Sequence, residues 1–399
     1  MTPEGATARV RAPYQRGRVT WSAFGALFAF GLLNAVLGPA LPYLRDAEHI
    51  SYLVGALHQA AFAVGGGLAG LFAARERSPL SRRATIAAGI AGAGAAGLLI
   101  GYGNTPAVTI CGALLVSLLA TSALISVWAA LADLHAEQRA VAMTEGEVSV
   151  SFAGILTPAI IAGLAATALG WRFAFAISAV VAVAAAAITM RVGVPQPAAV
   201  RERDPETPSA PRQRRSLPPT LLIVFAVVAL EFGLSFWLAS YLNDDVGFDR
   251  TDAVVAVSGL YLANFVGRLL ASRIARRVTP QQLLAAALAL VLIGLPILLA
   301  ATNAALAGVG IALAGAGIGA TFPLASSLHI ERSARGADSA LGEALTIAAL
   351  GQFAGPLAAG AIAEGSDLRA GLIALPVLAL LAAAALAAYN RPVKRIDTT

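Results

Sequence analysis

Charge is scarce in this chain, cysteine scarcer, and lysine almost absent. Only 13% of the 399 residues are charged, against roughly 25% in an ordinary soluble domain. The apolar fraction is 58%. A soluble globule cannot hide that much apolar surface, whereas lipid solvates it without cost. The single cysteine, Cys111, sits in an apolar run. It excludes an intramolecular disulfide and reads as a small packing residue. No Gly-x-x-x-x-Gly-Lys-Ser/Thr stretch occurs, so the phosphate cradle of a Walker-type ATPase is missing. Nucleophile elbow and paired cysteines are missing too, and no motif asks for an enzyme, a cofactor or a metal.

The charge that exists is basic: formally +6, carried by 27 arginines and Lys394. A nucleic-acid binder gathers such charge into a patch. Here the arginines are dispersed between apolar runs, so no nucleic-acid partner is expected. Arg9, Arg11, Arg16 and Arg18 precede an uncharged run of 26 residues, Val19 to Leu44. That is too long for a signal-peptide core and long enough to span a bilayer. It is read as a retained first span.

A spanning helix needs roughly 20 apolar residues. Twelve are predicted, at about 20–44, 51–74, 84–102, 107–132, 144–169, 172–190, 219–242, 252–273, 280–301, 304–328, 340–363 and 370–389. Turn chemistry marks the weaker joints, Gly101 to Pro106 and Ala301 to Asn303. With the amino terminus inside, 23 of the 28 Lys and Arg residues fall in cytoplasmic segments. Arg45, Arg172, Arg250 and Arg369 fall opposite, and Arg268 lies within a span. This asymmetry predicts both termini in the cytoplasm of an inner-membrane protein. Residues 193–219 hold seven prolines and five arginines, a composition that cannot bury a core. The predicted organisation is therefore all-α: a six-helix bundle over 1–192, a cytoplasmic linker over 193–219 and a six-helix bundle over 220–399.

The halves echo each other. Tyr43-Leu44 ends the first span and Tyr241-Leu242 the seventh. Leu134-His-Ala-Glu137 follows the fourth, and Leu328-His-Ile-Glu331 follows the tenth. Glu145 and Glu343 open the fifth and eleventh, each thirteen residues before a proline, Pro158 or Pro356. Two six-helix bundles related by an axis along the membrane normal are the arrangement of the major facilitator superfamily.

Several stretches resemble that superfamily. Gly170-Trp-Arg-Phe-Ala-Phe175, between the fifth and sixth spans, looks like an element common among its members. Gly70-Leu-Phe-Ala-Ala-Arg75 with Arg82-Arg83 resembles its basic loop motif, and Ser272-Arg-Ile-Ala-Arg-Arg277 after Gly267-Arg268 resembles a second copy. Both lack the family's Asp: Ala74 and Arg276 stand there. Glu231-Phe-Gly-Leu-Ser-Phe-Trp237-Leu-Ala-Ser-Tyr241 resembles the seventh helix of the fucose:proton symporter branch. Gly315-Ala-Gly317-Ile-Gly319-Ala-Thr-Phe-Pro323 resembles its glycine-rich tenth. The resemblance implies a pseudo-symmetric fold around a central cavity, a monomeric carrier and alternating access.

An ionisable group costs roughly 2.5–3.5 kcal/mol at the centre of a spanning helix. Glu231 is the one acid deep in a span, and it is expected to carry the coupling proton. A neutral glutamate bonded to a neighbouring helix is the alternative. Candidate cavity residues are Asn34, His58, Gln59, Trp237, Tyr241, Asn264 and Gln352. Trp237 suits either stacking on a sugar or a membrane-interface belt, and His58 suits proton movement or packing. Asp133, Arg139, Glu145, Glu147, Arg268, Asp338 and Glu343 gather near the cytoplasmic ends. They read as helix-end charges paired with loop arginines or as a gate between the halves. His135-x-Glu137 and His329-x-Glu331, read as loop residues, lack the spacing of a helical zinc site.

The expected partners are a small-molecule solute, protons and the lipid bilayer. The expected function is secondary transport, leaning to import of a sugar-like or other polar nutrient. Efflux by proton antiport stays open, although the fourth span lacks the arginine usual in drug antiporters. A sensor that binds without transporting lacks a signalling domain, since the 193–219 segment is too short to fold alone.

Overall fold

The computed structural model describes residues 15–74, 80–135, 138–195, 218–275, 277–333 and 337–390. Most of the 193–219 segment, Arg9 and Arg11, the loop residues 75–79, Glu137 and Arg276 lie outside them, as does the side chain of Asp338. Within the described residues the chain is helical: α1 (Arg18–Asn34), α2 (Leu37–Glu48), α3 (Tyr52–Ala74), α4 (Arg82–Tyr102), α5 (Pro106–Leu134), α6 (Arg139–Ala165) and α7 (Phe173–Val192) come first. Then follow α8 (Pro219–Asp244), α9 (Arg250–Ile274), α10 (Pro280–Leu299), α11 (Ala304–Arg332), α12 (Ala337–Glu364), α13 (Leu368–Leu372) and α14 (Ala374–Tyr389). They supply 12 membrane-spanning units, the first made of α1 with α2 and the last of α13 with α14. The protein is a multi-pass membrane protein.

The first span differs from the expected single helix. It breaks at Ala35 and Val36, one turn before Pro39. Pro39 has no N–H to return to the Ala35 carbonyl, so the ladder is interrupted there, whereas Pro42 is accommodated inside α2. Elsewhere most helix ends fall within a few residues of the predicted ones: α5 and α8 run two residues past them, whereas α6 starts five residues early and stops at Ala165, and α10 stops at Leu299. α11 continues through Arg332 and takes in His329, which is buried and not in a loop. Its imidazole is held by the Thr220 hydroxyl at 2.9 Å.

Helices α1–α7 pack on one another, and so do α8–α14. The two bundles meet along three lines: α2 on α8, α3 on α12, and α6 on α9. The outer rim is apolar. Val180 is 69% exposed and Leu71 61%, as expected of side chains whose solvent is lipid. The face carrying Arg18 and Tyr389 is called here the terminal face, and that carrying Glu48 and Tyr52 the distal face.

Small residues set the closest approaches. At Gly319 of α11, a Cβ would overlap the backbone carbonyl of Asn264 in α9. Such contacts between rigid backbones relax only by moving a helix. Gly319→Val is expected to destabilise the protein by about 1–3 kcal/mol, read as a lower thermal unfolding midpoint in detergent. Gly259→Ala, whose Cβ would meet nothing within 4 Å, should leave that midpoint unchanged.

Candidate functional site

One stripe of α9 faces the seam between the bundles. Tyr261, Asn264 and Arg268 recur at spacings of three and four residues, so they share a helix face. Opposite them, in α8, stands Glu231. The Asn264 amide donates to Glu231 Oε1 at 3.3 Å. Tyr261 and Arg268 both lie within Coulombic reach of the same carboxylate. Ser235, one turn along α8, donates to the Glu231 backbone carbonyl at 2.6 Å.

The first bundle touches this group. Arg268 Nη1 stands 3.8 Å from Glu147 Oε2 of α6, while its Nε donates to the Gly319 carbonyl at 3.0 Å. Ser258 of α9 donates to the Ile155 carbonyl of α6 at 2.7 Å. The cluster thus joins an acid, a cation, an amide and a phenol where α6, α8 and α9 meet.

The remaining cavity candidates divide. Asn34 ends α1 at the break and is half-buried, as is Gln352 in α12, and Gln59 is buried in α3. His58 is fully buried between α3 and α5, with Nε2 2.9 Å from Thr109 Oγ1. Trp237 and Tyr241 depart from expectation. Trp237 is 0% exposed, so it is no interface-belt residue. Its indole N–H donates to the Pro356 carbonyl at 2.9 Å, and its ring meets Tyr52 edge-on at 5.8 Å. Tyr241, also fully buried, directs its hydroxyl to the Leu298 and Leu299 carbonyls at 3.2 and 3.1 Å. Both aromatics are engaged with helix backbone, because a buried N–H or O–H must find an acceptor.

The candidate gate residues also divide. Glu145 takes two bonds from Arg16, at 2.9 and 2.5 Å. Asp133 pairs with Arg82 at 2.8 Å, and Glu343 with His329 at 3.4 Å. All three pairs stay inside one bundle. Arg139 is exposed at the start of α6. Of the described members of this group, Glu147 and Arg268 are paired across the seam.

The repeat is visible in the side chains. Thr20 of α1 bonds His135 Nε2 at 2.9 Å, as Thr220 of α8 bonds His329. Each tie fixes the first helix of its bundle to the terminal end of the bundle's fourth span. Partial burial holds the His135 ring below its ordinary value, with Glu145 pulling the other way.

Sequence reasoning missed a second cross-bundle cluster, on the distal face. Arg45 pairs with Asp244 at 2.7 Å, and Arg250 with Asp46 at 3.2 Å. The Tyr52 hydroxyl donates to Asp244 at 3.0 Å. Glu364 accepts from the Leu53 N–H at 2.9 Å. Asp46 and Asp244 follow the repeated Tyr-Leu pair by the same two residues, so each bundle offers an acid at equivalent positions to an arginine of the other. That opposite-sign match was the available signal. Gly38 lets α2 lie on α8 here, since a Cβ would sit 2.5 Å from the Ser235 carbonyl oxygen. The bundles are closed on the distal face.

Twelve spans, two bundles and a polar seam between them define a membrane transporter fold. The family profile of the Major Facilitator Superfamily matches residues 23–342, and the chain belongs to that superfamily. Among solved structures, it is similar to a bacterial homologue of the human lysosomal transporter Spinster, inward-facing and occupied. The identity is 16%, the TM-score 0.75, and the alignment covers 94% of this chain and 97% of that one. A D-xylose-proton symporter aligns at 14% identity and a TM-score of 0.72, over 94% and 97% of the two chains. A variant of the nucleoside transporter NupG aligns at 11% and 0.75, over 94% and 100%. No curated protein matches the sequence. Identities this low speak for the fold alone.

An exposed ion pair contributes about 0–1 kcal/mol, and Asp244 serves two donors at once. Asp244→Asn is expected to favour the distally open arrangement by about 1 kcal/mol, roughly fivefold in population. Spin labels at Ala47 and Ser366, in a Cys111→Ser background, should report a larger share of long distances in that variant. An unchanged distance distribution would remove Asp244 from the distal closure.

Proposed function

We propose that the chain is a proton-coupled secondary transporter that moves a small polar solute by alternating access, with Glu231 carrying the proton. The observation that supports this most is the setting of Glu231. It is an acid midway along an apolar helix, hydrogen-bonded to a neutral amide and neighboured by a cation that also touches the other bundle. An acid in hydrocarbon is costly, and its neutral form is the one lipid tolerates. Loading a proton permits movement across the seam, and releasing it returns the charge to Arg268.

In this reading, bundles 1–192 and 220–399 rock against each other, joined by the 193–219 segment. Both termini face the cytoplasm of the cell's inner membrane, and the distal closure shuts the site from outside. The solute class is a sugar-like or other polar nutrient. Asn264 and Tyr261 at the seam, with Asn34 and Gln352 in the neighbouring helices, offer it neutral donors and acceptors. The engagement of Trp237 and Tyr241 with backbone takes them out of solute contact in this state. Antiport of a drug or metabolite would use the same acid, and the sign of the flux decides between the two.

The deciding assay is uptake into proteoliposomes under an imposed pH gradient, screened over sugars and cationic drugs. With one proton per solute, a gradient of one pH unit supports about tenfold accumulation, worth ~1.4 kcal/mol. Glu231→Gln should abolish that accumulation while leaving solute exchange partly intact. A variant that still concentrates solute would show that the proton rides elsewhere.

A further inference from the structure

A second acid, half-buried, lies at the distal end of α2, and the mechanism above does not use it. Glu48 ends α2, Thr109 lies in the first turn of α5, and His58 is in α3. Their polar atoms form a chain. His58 Nδ1 is 3.1 Å from the Val54 carbonyl oxygen and 3.2 Å from that of Gly55. His58 Nε2 is 2.9 Å from Thr109 Oγ1, which is 3.2 Å from Glu48 Oε2.

Donor counting constrains this chain. A backbone carbonyl only accepts, so His58 Nδ1 carries a hydrogen. Thr109 Oγ1 also lies 3.3 Å from the Thr105 carbonyl oxygen and 3.2 Å from that of Pro106. Both carbonyls only accept and bring no hydrogen. When Nε2···Oγ1 and Oγ1···Oε2 are both hydrogen bonds they need one hydrogen each, the threonine hydroxyl owns one, and the other is an added proton. In one arrangement the imidazole is neutral, Thr109 donates to Nε2, and a protonated Glu48 donates to Oγ1. In the other, an imidazolium donates from Nε2 to Oγ1, and Thr109 donates to the Glu48 carboxylate. The two interconvert when the proton on Oε2 passes to Oγ1 while the hydroxyl hydrogen passes to Nε2. Both contain the same atoms and are neutral as a unit.

We propose that Glu48, Thr109 and His58 hold one exchangeable proton as a unit, forming a second proton site at the distal end of the first bundle. Two further observations support it. Glu48 Oε1 is buried and has no hydrogen-bond partner among the described residues. A bare carboxylate there would leave that oxygen charged and unsolvated. His58 is itself fully buried, which disfavours an uncompensated imidazolium.

The charged group facing Glu48 from the α6–α7 turn is Arg172, the arginine of the Gly-Trp-Arg-Phe stretch. Its charge favours an ionised Glu48 and so opposes the added proton, against the burial of Oε1 and of His58. The charged groups that the elements packed on α3 bring to its first turn are Arg45 of α2, over the Tyr52 ring at 3.8 Å, and Glu364 of α12, bonded to the Leu53 N–H. α2 also carries Arg45 and Asp46, so the proton sits on the helix that closes the distal face.

The test is spectroscopic and needs no transport substrate. The full chain is placed in lipid nanodiscs with Glu231→Gln, which removes the acid proposed to carry the coupling proton. It is studied at pH ~8, above the ordinary ranges of a carboxylate (~4.3) and an imidazole (~6.5). Histidine nitrogen NMR reads the His58 ring, and infrared spectroscopy reads the protonated carboxyl. The expected result is an imidazolium at His58, a protonated carboxyl, or fractions of both summing to one proton per chain. Adding Glu48→Gln or Thr109→Val should abolish the signal, and Thr109→Ser should keep it. A neutral His58 beside an ionised Glu48 at that pH would overturn the proposal, even if neither added variant folds. Because Glu231 is absent throughout, failure here leaves its assignment untouched.

Discussion

Lipid supplies no hydrogen bonds and does not solvate charge, so every polar group within a span must find its partner in protein. That constraint organises the molecule. The outer rim carries side chains such as Val180 and Leu71, which ask nothing of their surroundings. Between the bundles, polar groups meet in two places, the seam where α6, α8 and α9 come together and the distal face around α2 and α8. Even Trp237 and Tyr241, buried deep among helices, spend their single donors on backbone carbonyls of other helices.

Repetition and its failure are both informative. The Thr20–His135 and Thr220–His329 ties are equivalent and sit within their own bundles. They make each bundle rigid at its terminal end. Asp46 and Asp244 are equivalent too, but each reaches an arginine across the seam. A contact made twice in opposite senses resists both sliding and separation, which suits a face that must close as a unit. Glu231 in the second bundle and the Glu48–His58 chain in the first have no echo in the other half. A group that exists once in a duplicated scaffold was not supplied by the duplication.

The helices were legible because their signal is collective: some twenty apolar residues bounded by charge or turn chemistry. The break at Ala35 was less legible. Pro39 and Pro42 are plain in the sequence, yet prolines occur inside continuous spanning helices as well, such as Pro158 in α6. Glu231 stood out because its neighbours along the chain are uncharged. Tyr261 did not, since a tyrosine in a span has too many uses. The gate residues were located but not partnered. Position along a helix predicts which end a charge occupies, whereas its partner depends on packing between helices. Glu145 therefore turned to Arg16 within its bundle, while Glu147, two residues on, met Arg268 across the seam.

On the proposed reading, that last pair links a proton to a movement. Arg268 stands between two carboxylates, Glu147 in one bundle and Glu231 in the other. At 3.8 Å and with both side chains partly exposed, its contact with Glu147 is weak and easily exchanged. A cation between two acids goes to whichever is charged. With Glu231 protonated, Arg268 is free to serve Glu147 and tie the bundles on that side. With Glu231 ionised, the deeper and less solvated acid holds the stronger claim, and the tie is released. On the proposed reading, proton occupancy is thus converted into contact or separation of the bundles by one side chain, with no need for a distant relay.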